Sequence, residues 1–94
     1  MASVYILFSK QLNRFYIGSC KDLEYRIQQH KKKEFEQSFT AKTDDWSLFF
    51  HADGLQSGQA KLIEQHIKNM KSKQYVQNLK DFPEIIERLK KRYA

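Results

Sequence analysis

Two runs rich in β-branched and aromatic residues, 4–9 (VYILFS) and 14–19 (RFYIGS), flank Lys10-Gln11-Leu12-Asn13 and read as a β-hairpin. With the turn centred between Gln11 and Leu12, Tyr5 faces Gly18 and Leu7 faces Tyr16. Tyr5 and Tyr16 are then diagonal neighbours on one sheet face, within reach of each other's rings. A one-residue change of register would separate them. Gly18, with no side chain, leaves room above Tyr5 for a ligand or another backbone.

From Asp22, a suitable N-cap, to about Lys32 the spacing changes to that of a helix, with Glu24 favourable in its first turn. Leu23 and Ile27 form its apolar stripe, and Arg26 and His30, four apart, share an adjoining face. Residues 34–45 are polar and read as loop. A third strand follows over 46–52 (WSLFFHA), closed by an Asp53-Gly54 turn. Ser57 is the expected cap of a second helix reaching about Met70, with Ala60, Ile63, Ile67 and Met70 as its buried stripe. Glu64 stands at the margin of that stripe and should be half-buried. Residues 74–79 form a short helical piece. Pro83 opens a last helix, where its missing donor is harmless, and Ile85, Ile86 and Leu89 anchor it. The order predicts an α+β fold, a small three-stranded antiparallel sheet flanked by helices.

Length and composition narrow this further. Ninety-four residues suit one domain over 1–94. Seven Phe, five Tyr and one Trp supply the burial a small core needs. Cys20 has no partner for a disulfide and no zinc-like spacing around it, which favours a reducing compartment. Neither a signal peptide nor a transmembrane run is apparent, so a soluble cytoplasmic protein without a membrane partner is expected. Seventeen Lys and Arg against eleven acids leave a net charge of +6. Such a surface suits nucleic acid through counterion release, and equally a basic protein kept soluble by its charge. Lys31, Lys32, Lys33, Lys42 and the basic last helix (Arg88, Lys90, Lys91, Arg92) are candidates for following a DNA backbone.

The ordered set Val4-Tyr5-Ile6-Leu7, Tyr16-Ile17-Gly18, Arg26, His30 and Ala60-x-x-Ile63-Glu64-x-x-Ile67-Lys68 resembles the GIY-YIG nuclease domain. The likeness is to its small stand-alone members, related to the N-terminal nuclease domain of the UvrC repair protein, and spans about residues 3–80. Phe39-Thr40-x-Lys42 fits the same pattern. Ser3-Val4 stands where the family has Gly-Ile, and Cys20 where it often has Thr.

The resemblance implies an endonuclease that hydrolyses DNA phosphodiesters with one Mg²⁺ or Mn²⁺ ion, in DNA repair or recombination. It makes Tyr5, Tyr16, Arg26, His30 and Glu64 the catalytic candidates. Glu64 would hold the metal, which prefers oxygen ligands and keeps much of its water. The residues themselves leave open a plain helical pairing of Glu64 with Lys61 or Lys68. Tyr5 corresponds to the proposed general base, and its phenol, ordinarily near pKa 10, would have to be lowered by Arg26 or the metal. Tyr16 would orient water or phosphate. Arg26 would stabilise the charged transition state, against a surface pairing with Asp22 or Glu24. His30 would position Tyr5 or the phosphate, or cap its helix. Asn78 corresponds to a polar residue late in the domain and is a further candidate contact. The alternatives are a non-catalytic nucleic-acid-binding module on the same fold, and a subunit whose protein partner supplies specificity.

Overall fold

The computed structural model describes residues 1–31 and 45–94, excepting the side chains of residues 29–31. The expected loop therefore lies outside the described residues, apart from Asp45. So do Lys32, Lys33, the Phe39–Thr40 pair and Lys42.

Strands β1 (Ala2–Ser9) and β2 (Arg14–Cys20) form the hairpin, followed by α1 (Leu23–Lys31), β3 (Ser47–Leu55), α2 (Ser57–Met70), α3 (Lys73–Asp81) and α4 (Pro83–Arg92). The sheet is antiparallel in the order β2-β1-β3, so β2 is a border strand. This is the α+β architecture expected. Among the described residues no helix is long and apolar enough to cross a membrane.

Register follows the expected turn: Tyr5 pairs with Gly18 and Leu7 with Tyr16. Asn13 closes that turn with φ 50°, a left-handed conformation asparagine tolerates better than most residues. Asp45 braces it. Its carboxylate accepts from Ser9 Oγ at 2.5 Å and from the Gln11 amide at 3.0 Å, while Ser9 Oγ accepts from the Leu12 amide at 3.2 Å. Ser9 is fully buried, and these bonds satisfy a hydroxyl that would otherwise be costly to desolvate.

Alternation along β1 divides the sheet into two faces. Ala2, Val4 and Ile6 enter the larger core with Ala60, Ile63 and Ile67 of α2, Val76 and Leu79 of α3, and Ile86 and Leu89 of α4. Tyr5 and Leu7 point the other way, into a smaller cluster with Cys20 and Trp46, against which Leu23 and Ile27 of α1 pack. Both helical stripes were legible in advance, except that Met70 is 45% exposed at the end of α2.

Two local expectations need correcting. Asp53-Gly54 does not close β3, which runs on to Leu55. Val4 pairs with Ala52 but Ala2 with Leu55, so β3 carries an extra residue, and Gly54 absorbs the bulge at φ +72°. The cap of α2 is Gln56, whose backbone N–H donates to the Gln59 side chain at 3.1 Å in a capping box; Ser57 is already helical. Asp22 does cap α1, its Oδ1 accepting from the Tyr25 amide at 3.1 Å.

Candidate active site

Gly18 shows how the site begins. A Cβ there would lie 2.5 Å from Tyr5 Oη and 2.6 Å from its Cζ. The glycine therefore makes room for the Tyr5 ring itself, which lies across β2, and not for a ligand above that ring as the sequence suggested. Tyr16 stands beside it, ring centroids 6.3 Å apart at 35°, and meets Trp46 edge-on at 6.5 Å. Tyr5 is 1% exposed.

Burial dominates the chemistry of the Tyr5 hydroxyl, holding its pKa far above that of an ordinary phenol. Tyr16, Cys20 and Glu64 push in the same direction, whereas Arg26 opposes them. One hydroxyl thus lies within electrostatic range of Tyr16, Arg26 and Glu64 together. The Cys20 thiol is also raised, chiefly by burial, and is likewise opposed by Arg26.

Glu64 approaches from the opposite face of the sheet. Ser19 follows Gly18 in β2 and so points toward α2, where its Oγ donates to Glu64 Oε1 at 2.5 Å. The other oxygen, Oε2, accepts from Lys68 Nζ at 2.6 Å, one helical turn on. The Glu64 side chain is 17% exposed. The pairing with Lys68 that helix spacing permits is therefore present, and the Ser19 bond accompanies it. Ser19 was missed at the sequence level, although strand alternation was signal enough: it had to face α2 if Tyr16 and Gly18 faced α1.

Beside these groups opens a cleft of about 480 Å³, lined by Ser19 and Cys20 from β2, Asp22, Tyr25 and Arg26 from the start of α1, and Ser57, Ala60 and Lys61 from α2. Lys21 and Lys61 add positive charge to its wall. Tyr5 does not line the cleft; its neighbours Cys20 and Arg26 do. Glu64 lies one turn along α2 from Ala60 and Lys61. Of the predicted residues, Tyr5, Tyr16, Arg26 and Glu64 thus gather around the border strand. The backbone of α1 carries His30 and Lys31, whose side chains lie outside the described set. Asn78 is elsewhere: its Oδ1 accepts from Gln74 at 2.9 Å, and it lines a hollow between α2, α3 and α4 that shares no residue with the cleft.

No group of three or more His, Cys, Asp or Glu gathers among the described residues. The half-buried Glu64 carboxylate suits a hard divalent cation that takes its remaining ligands from water and phosphate, the habit of Mg²⁺ and Mn²⁺. It does not suit a closed zinc site.

A guanidinium and a carboxylate thus stand on either side of a border strand, next to a basic cleft. Residues 1–79 match the family model described as the GIY-YIG catalytic domain. The chain belongs to the GIY-YIG family, a family of nucleases; its general activity is therefore that of an endonuclease on DNA, in a class generally dependent on divalent metal. Neither a curated protein nor a solved structure matches the chain.

Proposed function

We propose that the chain is a Mg²⁺- or Mn²⁺-dependent DNA endonuclease whose scissile phosphate lies in the cleft between the starts of α1 and α2. The observation that carries this reading is Arg26 in the wall of that cleft, with the Ser19-bonded Glu64 carboxylate one helical turn beyond its Ala60–Lys61 edge. Arg26 offers bidentate donors to the phosphate oxygens and to the charge that builds on them in the transition state. Glu64, fixed in orientation by Ser19, would hold the cation, which when bound supplies Lewis-acid polarisation of the phosphate and stabilises the leaving oxygen. Tyr5, a neutral phenol set behind the cleft wall, would orient the attacking water only where that water reaches its hydroxyl past Cys20 and Arg26. It would take the proton itself only if added positive charge offset its burial. Tyr16 would complete the orientation of water or phosphate.

A cytoplasmic setting suits the unpaired, buried Cys20. A role in DNA repair or recombination rests on the likeness to the UvrC nuclease part. One observation favours a second reading, a DNA-binding module with little turnover: Lys68 already neutralises the Glu64 carboxylate.

A nicking assay on supercoiled plasmid and branched DNA separates the two. With Mg²⁺ the wild type should cut and with EDTA it should not. Glu64→Ala and Arg26→Ala should each lose at least about a hundredfold in rate while keeping the wild-type melting temperature within a few degrees. Wild-type rates in Glu64→Ala would remove the metal from that position. Metal-independent DNA binding with no cutting by the wild type would establish the binding module.

A further inference from the structure

The hollow that holds Asn78 lies on the far margin of α2 from the cleft. On a helix turning 100° per residue, Glu64 and His66 flank the buried Ile63–Ile67 stripe from opposite sides. The hollow has a volume of about 620 Å³, with Ile85 and Leu89 at its base and His66, Tyr75, Asn78, Arg88 and Arg92 around it. Among the described residues no acidic side chain lines it. Arg88 and Arg92 are one turn apart on α4, and among the described residues no carboxylate pairs with either. Aromatic rings fill the wall between them and α2. His66 lies 6.0 Å from Tyr75 and 5.7 Å from Tyr93, with its Nδ1 2.9 Å from Tyr93 Oη, and the Arg92 guanidinium sits 5.5 Å from the Tyr93 ring centre. Both arginines reach the Tyr75 hydroxyl electrostatically, opposing the upward push of its burial.

Two guanidiniums without a carboxylate partner among the described residues, beside tilted and edge-on aromatic rings, are the equipment for a phosphate joined to a flat ring. Single-stranded nucleic acid is bound by such a combination of cations for the backbone and aromatic surfaces for the bases. A base within a duplex would first have to be unpaired and unstacked to enter such a hollow, a cost that an already single-stranded nucleotide does not bear. The family match ends at residue 79, so α4 and both arginines lie beyond the shared catalytic domain.

We propose that this hollow is a second nucleic-acid site, taking one unpaired nucleotide with its phosphate on Arg88 and Arg92 and its base against Tyr75 and His66. The site goes beyond the nuclease reading and requires only that the chain meet nucleic acid. It would give the protein a preference for DNA with a single-stranded segment next to the position held in the cleft.

Fluorescence anisotropy with a fluorescein-labelled oligothymidylate, and with a blunt duplex of equal length, tests this on the full chain without divalent metal. Binding is then read independently of cleavage: a protein that never cuts can still fill the hollow, and an empty hollow leaves the catalytic reading untouched. The double variant Arg88→Ala/Arg92→Ala should bind the single strand roughly tenfold or more weakly. Its log–log salt slope should flatten by roughly 0.7 per lost phosphate contact. Duplex affinity should change much less. Arg88→Lys/Arg92→Lys should recover only part of the loss, because lysine lacks the planar donor fork. Unchanged single-strand affinity in the alanine variant, an equal loss on duplex, or full recovery with lysine would each overturn the proposal. Thymidine 5′-monophosphate should displace the oligonucleotide better than inorganic phosphate, and equal displacement would reduce the hollow to a plain anion site. As a check free of substitution, the His66 and Tyr75 ring resonances of the wild type should shift on adding oligothymidylate. Static resonances would count against the site.

Discussion

The phenol of Tyr5 sits in a core that excludes water, beside the charges of Arg26 and Glu64. Because its folded pKa is raised above the unfolded value, the folded chain keeps this proton while the unfolded chain loses it above about pH 10. The unfolded state then binds fewer protons, so stability is unaffected below pH 10 and declines as pH rises beyond it, by up to about 1.4 kcal/mol per pH unit. Tyr5→Phe should remove this part of the alkaline decline, measurable as a smaller fall in urea midpoint between about pH 9 and pH 11. An identical decline in the variant would mean that Tyr5 ionises normally. Gly18 shares the same volume. Gly18→Ala drives a methyl into a ring that cannot swing away, since Tyr5 is packed among Tyr16, Leu7 and Trp46. Overpacking of this kind costs about 1–3 kcal/mol, and urea unfolding should show it. A neutral Gly18→Ala would mean that the Tyr5 ring has room elsewhere.

At the level of elements, the caps offer a direct comparison between two serines. Ser72 Oγ accepts from the Tyr75 amide at 3.1 Å at the start of α3. Ser72→Ala should therefore lose about 1 kcal/mol. Ser57→Ala should be nearly silent, because Gln56 and Gln59 already satisfy the start of α2; equal losses at the two sites would contradict the caps described. The contrast also shows which parts of the fold could be read from the chain. The hairpin register was legible because each strand is short, the turn is short, and a slip would expose Val4 and Ile6. The stripes of α1 and α2 were legible from periodicity alone. Asp53-Gly54 misled because the same dipeptide serves a turn and a bulge, and only Leu55 pairing with Ala2 decides between them. Met70 lies at the last turn of α2, beyond the reach of the core, so its place in the stripe does not bury it. At the site, Tyr5 and Tyr16 were placed by register. The approach of Glu64 through the opposite face was not, because it depends on how α2 sits against β2, which no local pattern encodes.

Across the whole molecule, positive charge is distributed on both margins of α2: Lys21, Arg26 and Lys61 at the cleft, Arg88 and Arg92 at the hollow. With a net charge of +6, DNA affinity should weaken steeply with salt, the log–log slope growing by roughly 0.9 for each duplex phosphate contacted. Anisotropy between low and physiological salt measures it, and a flat response would mean that phosphate contacts contribute little to binding. Small side chains at the crossing of β2 connect the two halves of the candidate site. Gly18 gives clearance on one side of the sheet and Ser19 supplies a hydroxyl on the other. Adjacent residues on a single ribbon thus serve opposite walls, so the peptide plane joining them works as a spacer of fixed length between phenol and carboxylate. Any change that stretched or twisted the ribbon at that point would disturb both walls at once.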